Sequence, residues 1–287
     1  MGDVQKTLRR ALRNPLMLAG LMGLLVFVVV AAFADLIQPY PEDSGGTTHI
    51  ENALLSPSRE HLFGTDVLGR DVFSMVVAGS RISLLAGLIT AAGILIVGIS
   101  LGLIAGFVGG WIEEVIMRLT DLFLSFPSLL LAMAITAALG PNLQNAMFAV
   151  AITWWPSYCR LTRGEALSLK QKEFTESARS IGVSPLRIML RHILPNCFTP
   201  IFVAMMLDIG LIILTTSSLS FLGLGAQPPT PEWGLLITNG RTQFLTHWWV
   251  TTFPGLALFT VVLSLSLVGE GLREVLDPRM KGRIGYG

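Results

Sequence analysis

Long apolar runs separated by short polar stretches fill this chain of 287 residues. A membrane-crossing helix needs roughly 20 apolar residues to traverse a hydrocarbon core of about 30 Å. Pro15 to Ala34 supplies twenty residues without a charge, and Ile82 to Ile112 supplies thirty-one. Leu122 to Leu139 adds eighteen more. Ala146 to Tyr158 is shorter, rich in Trp and interrupted by Pro156. Cys197 to Trp233 carries Asp208 within it and Glu232 near its far end. Val250 to Gly269 is the last run. The pattern predicts an all-α integral membrane protein with six transmembrane helices, the fourth having the weakest signal.

Polar segments divide the chain. Residues 1–80 form an N-terminal segment with the first span and an extracytoplasmic loop. Residues 81–277 form a five-helix core, and residues 278–287 a cytoplasmic tail. Residues 3–13 are a basic lead-in suited to an interfacial helix against anionic headgroups. Within the second span Gly98, Gly102, Gly106 and Gly110 recur every four residues. That spacing makes one smooth face on which a neighbouring helix approaches closely, and packing within the chain is favoured over a dimer seam. A late outer segment, Ala226 to Trp249, holds prolines that argue against a helix and tryptophans suited to interfacial anchoring or to a docking surface.

Charge sets the orientation. Only 14% of residues are charged, against about 25% in average soluble chains. With the N-terminus inside, sixteen of the twenty Lys and Arg fall on the inner side. Arg59, Arg70, Arg81 and Arg241 are the outer four. The positive-inside bias therefore places both termini in the cytoplasm. The start imitates a signal peptide ending in "AFAD", but its apolar run is longer than the usual 7–15 residues of such leaders, so cleavage is disfavoured. Cys159 and Cys197 both lie near cytoplasmic ends of spans, where a disulfide is not expected.

The largest inner loop, about 160–196, breaks the apolar pattern with "ESARSIGVSPLRIMLRHILPN" at 176–196. Leu167, Phe174, Ala178 and Ile181 share one face of a predicted helix. Gly182 suits the left-handed position beyond a helix end. Ser184 stands where an N-cap belongs, with Pro185 at the first helical position. A second helix over 186–193 puts Leu186, Met189, Leu190 and Ile193 on one side and Arg187 and Arg191 on another, and Pro195 closes it. Two amphipathic helices meeting at a sharp corner form a knob suited to docking a partner. A simple membrane-surface role accounts for the charges but not for the corner.

These residues resemble the signature of permease subunits of binding-protein-dependent ABC importers. That signature reads E-A-A, three residues, G, nine residues, I-x-L-P. Here it stands as Glu176-Ser177-Ala178, Arg179 to Ile181, Gly182, then His192-Ile193-Leu194-Pro195, with Ser177 and His192 departing from it. "FGTDVLGRDV" (63–72), "GGWIEEVIMRLTDLFLSFPSLLLA" (109–132), "LSFLGLGAQPPTPEWG" (219–234) and the stretch from "FPGLALF" to "GEGLREVLDPR" (253–279) also resemble the second, C-type permease of the dipeptide, oligopeptide and nickel group. The resemblance implies a type I importer fold, with Glu176, Ser177, Ala178, Arg179, Gly182, Pro185, His192 and Pro195 in an ATPase-coupling helix. It further implies a homologous second permease, two ABC ATPase subunits and an extracytoplasmic substrate-binding protein in the bacterial inner membrane. Di- or oligopeptides are the leading substrates; nickel chelates, opines, glutathione and oligosaccharides stay open.

The remaining chemistry narrows the alternatives. The chain has no G-x-x-x-x-G-K-[ST] loop, so ATP and its Mg²⁺ are expected on partner subunits and no cofactor in this chain. Asp208 is an acid inside a span, and structural and pathway roles are both open. With Asp208 as relay, a proton-coupled secondary transporter is the rival reading, although no inverted repeat supports it. An intramembrane enzyme lacks H-E-x-x-H and G-x-S-x-G. Asp121 is expected to pair with Arg118. Asp66, Arg70 and Asp71 either stabilise the outer loop or face a binding protein. His49, His61 and His247 are scattered, with no spacing that suggests a metal site.

Overall fold

A computed structural model describes residues 14–276. The basic lead-in before Asn14 and the tail after Leu276 lie outside the described residues. The architecture is helical throughout, and no strand longer than a single bridge occurs among the described residues. The long helices are α1 (Pro15–Ala32), α2 (Val72–Val108), α3 (Gly110–Leu124), α4 (Ser128–Leu139) and α5 (Leu143–Lys170). Then come α6 (Glu173–Ser180), α7 (Pro185–Ile188), α8 (Leu194–Phe221), α9 (Trp233–Gly240) and α10 (Trp249–Leu276).

Helix starts follow local chemistry. The Asn14 side chain accepts from the Leu16 and Met17 amides, with Pro15 next to it. The Asp71 carboxylate accepts from the Ser74 amide and starts α2 at Val72, ten residues before the apolar run Ile82 to Ile112 begins. At 37 residues α2 is about 55 Å long, well beyond a hydrocarbon core.

Four helices are long and apolar enough to cross a membrane, or five if a bent pair counts as one. Two expected spans differ from their apolar runs. Leu122 to Leu139 is not one helix: α3 and α4 meet at 91° across Ser125, Phe126 and Pro127. Proline pushes the residue before it out of the helical region, so the break belongs at Phe126. The fourth element extends beyond Ala146–Tyr158 and runs unbroken through Pro156 as the 28-residue α5. Its C-terminal half carries Arg160, Arg163, Glu165 and Lys170, so α5 is not among the helices apolar enough to count as a span. The fifth apolar run ends at Phe221 rather than Trp233, because Gly223 and the prolines from 228 to 231 cannot continue a helix.

Contacts fix the directions. Gly98 lies against Trp155 and Tyr158, Gly102 against Cys159 and Thr162, and Gly106 against Ala166. Both sequences ascend together, so α2 and α5 run parallel and the bent α3–α4 segment returns the chain between them. Gly87 meets Ile213 near one end of α8, and Tyr158, opposite Gly98, meets Asp208 nearer the other. Hence α8 is antiparallel to α2. α10 is antiparallel to α8 (Gly210 against Val262, Gly269 against Met206), and α1 runs antiparallel to α10. The Asn14 side-chain amide donates to Glu274 at 2.6 Å, so the described ends lie at the same end of the bundle.

The glycine face therefore packs within the chain. Gly110 departs from it, since it opens α3 at φ +61° with no neighbour within 4 Å. A Cβ on Gly102 would collide with the Cys159 carbonyl oxygen. Backbone cannot retreat from such a clash, and overpacking of this kind costs about 1–3 kcal/mol. Gly102→Ala is expected to lower the thermal unfolding temperature of the detergent-solubilised chain. Gly164→Ala, in α5 with nothing within 4 Å, is expected to hold or raise it.

Candidate functional site

The corner between α6 and α7 is built by backbone hydrogen bonds. The Val183 amide donates to the Ala178 carbonyl at 3.0 Å, and the Gly182 amide to Arg179 at 2.9 Å. These two bonds, with Gly182 at φ +80°, form a Schellman end to α6. Ser184 has the extended backbone of an N-cap, and its carbonyl accepts from Ile188 at 3.0 Å, but its hydroxyl makes no capping bond. Thr175 anchors α6 to the end of α5 by donating to the Leu169 carbonyl at 2.8 Å.

Burial revises the predicted faces. In α6 the inward residues are Thr175 and Ala178, while Phe174 and Ile181 point outward, Ile181 being 80% exposed. In the second helix Ile188 and Ile193 are buried, and Leu186 and Leu190 are exposed beside Arg187 and Arg191. Of the residues that spacing placed on the two apolar faces, Phe174, Ile181, Leu186 and Leu190 thus stand on the surface of the knob, while Ala178 and Ile193 are buried. Ser184, Leu186, Arg187, Leu190 and Arg191 line an open depression there. Glu176, Ser177, Arg179, Gly182, Pro185 and Pro195 are exposed, His192 is half-buried, and Ala178 lies beneath them. Glu173, Glu176, Arg179, Arg187 and Arg191 have no ion-pair partner among the described residues.

Pro195 does not close the second helix. The chain passes from α7 through a π-helical turn, Met189–Ile193, directly into α8. Pro195 sits in the first turn of α8, where its missing N–H is tolerated beside the widened turn. The Asn196 side chain donates to the His192 carbonyl at 2.6 Å, satisfying a group that the irregular ladder leaves available. Pro185–Phe221 is consequently one run of 37 helical residues joining the surface corner to the interior.

Ion pairs brace the same region. Asp121 pairs with Arg160 of α5 at 2.6 Å rather than with Arg118, which lies 3.6 Å from Glu114. Arg163 donates through Nε to Glu113 at 2.6 Å. Both Asp121 and Glu113 lie on α3, so the two pairs tie α3 to α5, a pairing that helix spacing within α3 could not reveal. Asp208 accepts a hydrogen bond from the Tyr158 hydroxyl at 2.8 Å, joining α8 to α5.

The outer elements are locked from within. Asp66 accepts from the Leu68 and Arg70 amides and from Arg70 Nε, the last at 2.8 Å. Asp66, Arg70 and Asp71 are all buried, so they hold the loop together instead of presenting a docking surface. The outer segment after α8 does contain a helix, α9, which begins only after the prolines. Glu232, 1% exposed, caps it at the Leu235 amide and accepts from Ser217 Oγ at 2.6 Å. Trp233 and Trp249 are buried, donating to the Val76 and Thr65 carbonyls, and are not interfacial anchors; Trp248 remains half exposed. Cys159 and Cys197 are unpaired.

A family model described as the inner membrane component of binding-protein-dependent transport systems matches residues 98–282. The chain belongs to this permease family. The N-terminal TM domain of oligopeptide transport permease C matches residues 4–57. The dipeptide transport system permease protein DppC of Alkalihalophilus pseudofirmus is 45% identical, over 94% of this chain and 88% of that protein. The glutathione transport system permease protein GsiD of Pectobacterium atrosepticum is 42% identical, over 95% and 90%. The fold resembles a chain of the inward-facing MetNI methionine ABC transporter, with TM-score 0.57 and 16% identity over 71% of this chain and 97% of that one. The N-terminal match and the relatives are C-type permeases, as the sequence segments suggested.

The corner yields a direct test. A Cβ at Gly182 meets nothing within 4 Å, so its cost is conformational alone. A side chain in the left-handed region costs about 1–2 kcal/mol. Gly182→Ala is expected to speed amide exchange across 174–183 without lowering the global unfolding temperature, and Gly182→Asn to recover part of the protection.

Proposed function

We propose that this chain is one of two homologous permease subunits of an ATP-driven importer for short peptides. It crosses the bacterial cytoplasmic membrane six times with both termini inside. α3–α4 forms the third crossing and α5 the fourth. The sixteen-to-four distribution of basic residues supports this orientation. ATP hydrolysis and its Mg²⁺ belong to two ATPase subunits, and substrate arrives from an extracytoplasmic binding protein.

The observation that carries the reading is the continuity of Pro185–Phe221. A helix is stiff along its axis, so force on an exposed corner at its end is delivered into the bundle. The knob offers a partner exposed Phe174, Ile181, Leu186 and Leu190 flanked by Glu176, Arg179, Arg187 and Arg191. Apolar anchors ringed by charges are a good basis for a specific interface. Gly182, Pro185 and Pro195 fix the backbone, while Ser177 and His192 complete the surface. ATP-dependent closure of the ATPases would then favour one bundle conformation and substrate-loaded binding protein another.

Dipeptides and glutathione are both short peptides, and the relatives named for them stand at similar identity. Short peptides are therefore the substrate class proposed, with discrimination left to the binding protein. The test is co-purification from detergent extracts, with ATPases identified by mass. Wild type is expected to retain ATPase subunits, and a folded Glu176→Arg/Gly182→Trp variant to lose them. Equal retention by both would contradict the assignment of the corner.

A further inference from the structure

Asp43 is the outer-loop residue whose burial is least explained. Its side chain is 2% exposed, yet only Oδ2 is used, accepting from the Asp71 amide at 2.7 Å. Oδ1 is buried without a hydrogen bond. Burial raises the Asp43 carboxyl above its ordinary pKa, which reports a charge held away from water. His49 Nε2 lies 3.3 Å from Oδ1 but makes no hydrogen bond to it. Glu42 completes a set whose ligand atoms all lie within 4.8 Å of one another.

We propose that Glu42, Asp43 and His49 bind a Zn²⁺ ion on the extracytoplasmic side. In a tetrahedral site with bonds of about 2.0–2.1 Å, neighbouring ligand atoms lie about 3.3 Å apart. The Asp43–His49 separation matches that spacing. Two lone pairs that converge on an ion point off the line joining their atoms, which fits the misalignment. On its other side His49 Nδ1 lies 3.8 Å from Glu51, beyond hydrogen-bond distance but on the side away from Asp43. Imidazole in the ligand set selects Zn²⁺ over Ca²⁺ or Mg²⁺, which prefer all-oxygen shells.

The framework holding these residues is built. The His49 amide donates to Leu68 at 2.9 Å, and Asp43 is fixed by the first residue before α2. Glu42 is exposed and closes the site by a rotamer change. With three protein ligands, a fourth position stays open to water. The ion would pin the Pro41–His49 stretch to the start of α2. The ligand set stands on the loop geometry alone; its extracytoplasmic placement rests on the proposed topology.

The test is equilibrium dialysis of the full chain with ⁶⁵Zn²⁺ at neutral pH, after removal of any affinity tag. Wild type is expected to bind one Zn²⁺ per chain, undisplaced by millimolar Ca²⁺. His49→Ala and Glu42→Gln are each expected to weaken binding at least tenfold, and His247→Ala to leave it unchanged. Glu42 and His49 are solvent-accessible, so both variants are expected to unfold at the wild-type temperature without zinc. Absence of stoichiometric binding by wild type, or wild-type affinity in His49→Ala, would overturn the proposal.

Discussion

The molecule depends on one continuous helix, Pro185–Phe221, that begins on an exposed corner and ends among buried contacts at the opposite face of the bundle. A chain that simply turned at Pro195 would separate the corner from the interior. The π-helical turn at Met189–Ile193 lets the helical run continue past Pro195 into α8. Along its length this helix meets Tyr158 through Asp208, Gly87 through Ile213, and Glu232 through Ser217. The helix is thus tied to α5, to α2 and to the Glu232 cap of α9.

The rest of the fold supplies something rigid to move against. α2 and α5 approach closely along the Gly98, Gly102 and Gly106 face, and the Arg160 and Arg163 pairs hold α3 on α5. Exposed ion pairs such as Arg160–Asp121 contribute little individually, roughly 0–1 kcal/mol. Their value is in fixing the position of α3. At the opposite end of the bundle from the knob, buried Asp66, Asp71 and Glu232 turn loop segments into capped, hydrogen-bonded structure. The contrast leaves unsatisfied chemistry on the knob, where Glu176 and Arg179 have no ion-pair partner among the described residues.

Much of this was legible in the residues. Apolar length located the four long apolar helices, and Gly182 followed by Ser184-Pro185 located the corner because backbone chemistry there is local. What was hidden depends on tertiary contact. Periodicity put Phe174 and Ile181 in a packing face, yet Thr175 faces inward because its hydroxyl reaches the Leu169 carbonyl. Asp121 was assigned to Arg118 because helical spacing sees only its own helix, whereas Arg160 approaches from α5. Pro127 was a visible break that the apolar run Leu122–Leu139 obscured. Trp233 and Trp249 read as interfacial residues because burial of an indole depends on a carbonyl supplied by a distant segment. Glu42, Asp43 and His49 carry no spacing signal, since loop folding alone brings them together.

ATP-driven coupling and an Asp208 proton relay differ most sharply in what powers transport. The decisive measurement is uptake of a radiolabelled short peptide into sealed liposomes containing this chain with its partner permease, ATPases and binding protein. Coupling through the corner predicts uptake that requires ATP, is insensitive to a protonophore and survives Asp208→Asn if the variant folds. Uptake without ATP that follows an imposed proton gradient and disappears in Asp208→Asn would contradict it.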